Sequence, residues 1–416
     1  MSIENNPLVK QSPHKYGAVS FDEIKQEHFI PALEYAIKDA ERILDEVKNN
    51  TDAPTFENTA LPMETCSELM ETISLVYFNL MSAESDNKFK ELAQQISPTL
   101  SVFKNKVLLD SKLFARVKTL YENRNSSDLN PEQKRLIEEK YIDFTLNGAL
   151  LNDADKEKVR KIDEVLSKLS PKFSQNTLNA TNDFTYYTED EAELSGLPDM
   201  AKAQAAETAK KKKKNSGWMF TLQMPSYIPV MQFADNRQLR EILFKARSQI
   251  SFGGKYDNQE IVIKFSALRY ERAQILGFTD HADYILQKRM AGKTDNVMNF
   301  LDRLYEVYYP AANRELNEMR QLARKDGVEE IQSWDSAYYA EKLKKQKFDF
   351  DQEALRPYFK AENVIDGIFK VAGLMYGVEF QEINDVPVYH EEVRVFEVSD
   401  ADGSFLALFY VDLHPR

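Results

Sequence analysis

A mainly α-helical protein, a multi-helix lobe with a small β-sheet near its C-terminal end, is what this sequence predicts. Three observations carry that reading. Apolar residues recur at spacings of three and four over some 330 residues, the signature of helices burying one face. The period then changes: Val393, Val395 and Glu397 alternate with Arg394, Phe396 and Val398, which is strand spacing. After a turn at Asp400–Gly403, Phe405–Val411 (FLALFYV) is an unbroken apolar run, as expected of a strand covered on both faces.

The elements follow in order. Phe29, Leu33, Ala36, Ala40, Leu44 and Val47 place one apolar stripe on a helix from Asp22 to Lys48. Pro54-Thr-Phe-Glu-Asn-Thr59 punctuates the chain, a second helix runs from about Ala60 to Met81, and a third ends before Ser97-Pro98. Asn130-Pro-Glu-Gln133 combines a cap residue, a proline in the first turn and a capping-box glutamine, and Gly148 stands where that helix should stop. A further helix from about Ala154 breaks at Ser170-Pro171, with helical character resuming towards Thr181. Glu189 to Ala209 reads as helix and leads into five lysines, Lys210–Lys214. Gly217–Met224 reads as a strand, and Pro225–Pro229 as an irregular return. Helices resume at Asn236–Glu241 and around Ile261, Phe265, Leu268 and Ile275. Thr294 begins a helix carrying Val297, Leu301, Leu304 and Tyr308, which Pro310 should kink and Gly327 end. Val364 to Tyr376, stopped by Gly377, is the last helix. Three regions result: residues 1–215, helical; 216–378, helical with a short strand segment; and 379–416, the start of a sheet.

Composition bounds the function. The chain has 416 residues and a net charge of −13, which disfavours nucleic acid as a partner for the surface as a whole. The lysine pentad could bind nucleic acid or an import receptor. A solvated helix end facing the negative pole of the helix dipole is the plainer reading. Cys66 is the only cysteine, so there is no intrachain disulfide and no cysteine-based zinc site; it reads as a buried thiol. No stretch approaches the ~20 apolar residues of a membrane span and no leader is evident at the N-terminus, so a cytoplasmic protein without membrane partners is expected.

The search for chemistry ends without a site. The histidines are His14, His28, His281, His390 and His414, scattered along the chain. A zincin helix needs His-Glu-x-x-His, because residues four apart share a face and grip one metal. The nearest string, His390-Glu-Glu-Val-Arg394, has arginine at the second histidine position and lies where the pattern turns to strand. No glycine-rich nucleotide loop is present, since Gly253-Gly254-Lys255 lacks the spacing, and no Gly-x-Ser-x-Gly elbow occurs. No catalytic, cofactor-binding or metal-ligating residue is therefore assigned, and substrate-binding residues are left unassigned.

An ordered set of strings nevertheless resembles the M3 family of zinc metallopeptidases, the thimet oligopeptidase and oligopeptidase A group, and most of all its dipeptidyl carboxypeptidase branch. They include Pro54–Thr59, Phe173-Ser-Gln-Asn-Thr-Leu-Asn-Ala180, Arg237-Gln-Leu-Arg-Glu241, Leu268–Gly277 with Met290-Ala291, and Trp334-Asp-Ser-Ala-Tyr-Tyr339. The set continues through Phe348–Phe359, Val364–Phe369, Asp385–His390, Val393–Val398 and Phe409–Asp412 to Pro415-Arg416. Most of these residues read as core and cap positions. Trp334, Tyr338 and Tyr339 form an aromatic cluster for which packing is the plainer reading and substrate-channel lining the other.

The resemblance implies a two-lobed, largely helical peptidase whose deep channel admits short, unstructured peptides. It also implies zinc on a His-Glu-x-x-His helix, with its glutamate as general base on the metal-bound water and later groups stabilising the oxyanion. None of those residues has a counterpart here. The expectation is the N-terminal, substrate-confining portion of a peptidyl-dipeptidase, inactive alone, with no cofactor of its own and a C-terminal peptidase half as its missing partner. The alternative is a non-catalytic helical module binding peptides or a protein.

Overall fold

In the computed structural model, residues 2–84, 86–125, 128–349 and 353–413 are described. His414, Pro415, Arg416 and the 350–352 part of the Phe348–Phe359 string lie outside the described residues. The chain divides into two compact units, residues 1–168 with 358–416 and residues 169–357.

The first unit begins with short turns and then α1 (Phe29–Asn49), α2 (Leu61–Thr65), α3 (Glu68–Ala83), α4 (Asn87–Glu91), α5 (Ala93–Leu108), α6 (Ser111–Asn123) and α7 (Pro131–Leu146). The whole predicted stripe of α1 is buried, from Phe29 to Val47. Its register is fixed by aromatic contacts: Phe29 meets Tyr77 and Phe89 edge-on, each at 5.4 Å between ring centroids. The Tyr77 hydroxyl donates to the Phe89 carbonyl at 2.9 Å, so the buried phenol keeps a partner. At α7 the predicted capping box is present in both directions, and Gly148 adopts φ +101° just beyond the helix.

Helix α5 does not end at Ser97-Pro98; it runs through Pro98 to Leu108. Likewise α8 (Asp153–Asp183), within which the division between the units falls, passes through Pro171. A proline removes one ladder hydrogen bond, but packing of an apolar face outweighs that loss. Ile96 and Phe103 are buried on either side of Pro98.

The same unit closes with α16 (Ala361–Tyr376) and strands β3 (Glu379–Ile383), β4 (Arg394–Ser399) and β5 (Phe405–Val411), antiparallel in the order β3-β4-β5. Gly377 ends α16 at φ +74°, the left-handed cap that glycine adopts without a Cβ penalty. Phe369 of α16 stacks on Phe380 at 4.2 Å and meets Phe396 at 4.7 Å. The N-terminal segment lies on this sheet too. Tyr16 stacks on Phe405 at 3.7 Å, and Lys15 and Tyr16 both donate to Glu397 at 2.8 Å. The run Phe405–Val411 is the predicted strand, but it is not covered on both faces: it stands at the sheet edge, and Leu406 and Phe409 are about half exposed.

The second unit contains β1 (Thr185–Thr188), α9 (Asp199–Lys211), β2 (Trp218–Thr221), α10 (Met224–Phe233), α11 (Arg237–Ser248), α12 (Gln259–Ile275), α13 (His281–Leu286), α14 (Thr294–Lys325) and α15 (Ser336–Phe348). Strands β1 and β2 pair antiparallel. Leu194, Leu197, Phe220, Val230, Leu239 and Leu243 form the core. Two expectations need correction. Glu189–Ala209 is not one helix: a single turn at Glu191–Leu194 is separated from α9 by Ser195–Pro198. Gly196 sits there at φ +82°, and a Cβ on it would meet the Phe233 carbonyl oxygen at 2.1 Å. Pro225–Pro229 is not irregular but lies in α10, whose first turn accommodates Pro225 and whose Val230 and Met231 are buried.

The lysine pentad runs off the end of α9, with Lys210 and Lys211 in its last turn and Lys212–Lys214 beyond it: Lys211 pairs with Glu207, and the Lys214 ammonium sits 4.6 Å from the Tyr187 ring centre. Helix α14 continues through Pro310 to Lys325, with Gly327 just past its end. Among the described residues no helix is long and apolar enough to cross a membrane.

Gly196→Ala should destabilise the second unit by about 2 kcal/mol or more, since it combines a left-handed backbone with a backbone clash. Denaturant unfolding followed at Trp218 and Trp334 measures this. An unchanged midpoint would mean that the close approach at Gly196 is relaxed in solution.

Candidate functional site

Two strings some ninety residues apart in sequence meet at one buried carboxylate. Asp335 is fully buried in the short turn Ser333–Asp335 that precedes α15. Arg237, in the first turn of α11, donates through Nε to both Asp335 oxygens at 3.1 Å and through Nη2 to Oδ2 at 2.7 Å. Arg240, one turn later and itself only 2% exposed, donates to Oδ1 at 2.8 Å. The Gln332 backbone N–H adds a fourth donor at 3.0 Å. A charge in such a place stands only when paired and hydrogen-bonded. Burial pushes the Asp335 carboxyl up, but Arg237, the Gln332 amide and Arg240 outweigh it and hold the group below the usual carboxylate range.

Around this centre the aromatic cluster divides its roles. Tyr339 is buried and packs edge-on against Tyr338 at 5.2 Å. The Arg240 guanidinium lies 4.1 Å from the Tyr338 ring centre, within cation–π range. The Tyr338 hydroxyl donates to Asp235 at 2.8 Å, and Ser195 Oγ donates to the other Asp235 oxygen at 2.7 Å. Burial and that carboxylate push the Tyr338 phenol up to about 12, so it stays protonated as a donor. Trp334 Nε1 is enclosed without a partner. Tyr338 also borders an open cavity of about 700 Å³ lined by Asp199 and Asp235 and, from α15, by Glu341, Lys342 and Lys345. Charges of both signs beside an aromatic wall suit a zwitterionic or amide-rich guest such as a peptide.

Two further strings also take part in polar clasps. Arg116 of α6 donates to Thr59 and Asn58 in the Pro54–Thr59 string and to the carbonyls of Asn50 and Asp52. Asn176, in the Phe173–Ala180 string, donates to Asn258 Oδ1 at 2.8 Å, and Asn258 donates back to the Phe173 carbonyl.

The described histidines stay apart. His14 lies 3.7 Å from Asp22, His28 accepts from the Lys25 amide, His281 is in α13, and His390 accepts from the Glu392 amide in a turn before β4. Among the described residues no three His, Cys, Asp or Glu side chains gather as metal ligands would. Cys66 is half-buried, and burial pushes its thiol up, away from reactivity.

Comparison with known proteins places this scaffold. Residues 230–416 match Peptidase family M3, and residues 33–156 match the Neurolysin/Thimet oligopeptidase N-terminal domain. Oligopeptidase A of Salmonella typhimurium is 34% identical over 99% of this chain and 61% of its own length. Dipeptidyl carboxypeptidase of Escherichia coli is 32% identical over 99% of this chain and 61% of its own. The chain belongs to peptidase family M3. This M3 chain spans about three fifths of the length of the curated relatives it matches. A probable cytosolic oligopeptidase A of Arabidopsis thaliana, 27% identical, extends the likeness to plants over 100% of this chain and 60% of its own length. M3 metallopeptidases are zinc enzymes, but the side chains described here do not fit a zinc site: no donor cluster forms.

Asp335→Asn should lower stability most near neutral pH, by about 3–5 kcal/mol for breaking a buried charge cluster. With a depressed folded-state pKa, the Asp335 contribution is full above its unfolded value near 3.9 and is lost as pH falls through the folded value. The difference between parent and variant unfolding free energies should therefore shrink below about pH 4. A pH-independent difference would contradict the ionised clasp.

Proposed function

We propose that this chain is the substrate-confining scaffold of a zinc peptidase acting on short, unstructured peptides, in the manner of a peptidyl-dipeptidase. The observation that carries the reading is the near-complete match of the chain to relatives described as oligopeptidase A and dipeptidyl carboxypeptidase. The mixed-charge cavity beside Tyr338 supports a peptide-facing role for the second unit. The cytoplasm is the proposed setting, in keeping with the relative described as probably cytosolic.

The 416 residues contain no His-Glu-x-x-His, so the zinc, its general base and the oxyanion donors belong in this proposal to a C-terminal peptidase half. Large apolar side chains stand exposed on α14 (Leu301, Tyr305, Tyr308) and on α16 (Ile368, Val371, Leu374). Apolar faces of that kind support docking of further protein. The same missing motif favours a second reading, a non-catalytic module that binds peptides or a protein partner.

The purified 416-residue chain, supplied with zinc, should retain far less than one zinc per chain and leave a quenched fluorogenic octapeptide intact. Stoichiometric zinc with chelator-sensitive hydrolysis would overturn the scaffold proposal. Hydrolysis restored by adding the C-terminal half of a relative favours the peptidase scaffold; peptide binding with no restored hydrolysis favours the module.

A further inference from the structure

A second cavity, of about 600 Å³, is lined from α8, α12 and the start of α13. Its walls are mostly apolar, formed by Phe173, Val262, Phe265 and Tyr270. Arg269 and His281 also line it. The Arg269 guanidinium lies 4.6 Å from the Phe265 ring centre, and among the described residues no carboxylate pairs with it. Asp280, the acidic group of the lining, is turned to the backbone, where it accepts from the Asp283 amide at 2.9 Å and caps α13. His281 Nδ1 is enclosed with no hydrogen-bond partner, which leaves Nε2 as the nitrogen able to serve a guest. Burial, then the nearby Arg269 and Arg272 charges, hold the imidazole below its ordinary pKa against the opposing pull of Asp280. The ring is thus neutral at pH 7, and the surrounding field favours an anion.

An open, mostly apolar cavity whose one guanidinium has no carboxylate partner among the described residues selects its guest by chemistry. A neutral apolar molecule fills the walls but leaves the Arg269 donors to water. A phosphate dianion brings more charge than one cation and a neutral imidazole compensate, and it wastes the aromatic surface. A monocarboxylate on an apolar body satisfies both parts, since the planar fork of arginine matches a carboxylate in two parallel hydrogen bonds. We propose that this cavity is a binding site for a small aryl or alkyl carboxylate, with its body against Phe173, Val262 and Phe265, its carboxylate on Arg269, and His281 beside it. The site lies within the second unit and stands whether or not the chain works as a peptidase scaffold.

Titration of the whole chain with 3-phenylpropionate and with 3-phenylpropan-1-ol, followed by calorimetry and by the His281 imidazole NMR signal, tests the assignment. The acid should bind about tenfold more tightly than the alcohol, the scale of one charge-assisted contact. Saturation with the acid should raise the His281 pKa, because a negative neighbour favours imidazolium, and the alcohol should not. Arg269→Gln should abolish the preference while leaving the melting transition unchanged, and Arg269→Lys should restore part of it. Equal affinity for acid and alcohol, no binding of either, or a preference that survives in a folded Arg269→Gln variant would each overturn the proposal. A chain-terminal carboxylate shares this chemistry, so N-acetylglycyl-phenylalanine is the third probe. Tighter binding of that peptide than of 3-phenylpropionate would assign the cavity to peptide ends and overturn the free-acid reading.

Discussion

At the centre of the second unit, one carboxylate with no access to water is held by two guanidinium groups and a backbone amide. Desolvating Asp335 opposes folding, and only the convergence of Arg237, Arg240 and the Gln332 amide reverses that sign. The cluster is therefore all-or-none: remove one partner and the others are left buried without compensation. Because Arg237 and Arg240 stand one turn apart on α11 and Asp335 precedes α15, the cluster fixes those two helices against each other. Arg240 extends the constraint further, donating to the Ala234 carbonyl at 2.6 Å and stacking on Tyr338. Tyr338 then reaches Asp235, and through it Ser195. The cavity wall beside Tyr338 is thus set by a polar chain that begins at Asp335.

The same device recurs at lower stakes. Arg116 gathers the loop after α1 and Asn58 and Thr59 of the Phe56–Ala60 turn through four separate acceptors, and Asn176 with Asn258 ties α8 to the start of α12. In each case an irregular segment that could not bury enough apolar area to order itself is held by side chains reaching its backbone groups. In this chain the Pro54–Thr59, Phe173–Ala180, Arg237–Glu241 and Trp334–Tyr339 strings carry clasps and core contacts.

Much of the helical framework was legible from spacing. The stripe of α1, the capping box at Asn130 and Gln133, and the glycine stop at Gly377 all follow from local rules that nothing distant overrides. What misled was proline. Pro98, Pro171 and Pro225 each read as a boundary, yet Ile96 and Phe103 about the first, and Val230 and Met231 after the last, bury enough surface for the helix to persist. Strand β1 was missed because Thr185-Tyr-Tyr-Thr188 is too short for a periodicity argument, though its β-branched and aromatic content was a usable signal. The site was less legible than the fold. Arg237, Arg240 and Asp335 lay within two quoted strings, but a single sequence gives no reason to pair positions 95 residues apart. The edge position of Phe405–Val411 was equally invisible, because a run of apolar residues reports composition and not the number of neighbours.

If the Asp335 cluster governs the second unit, its loss must be felt on both helices it joins. Backbone hydrogen exchange in Asp335→Asn, read at Leu239 and Leu243 of α11 and at Tyr339 and Ala340 of α15, measures this directly. The account predicts that protection falls together, by similar factors, on both helices. Protection lost only near Ser336 while α11 exchanges as in the parent would contradict it.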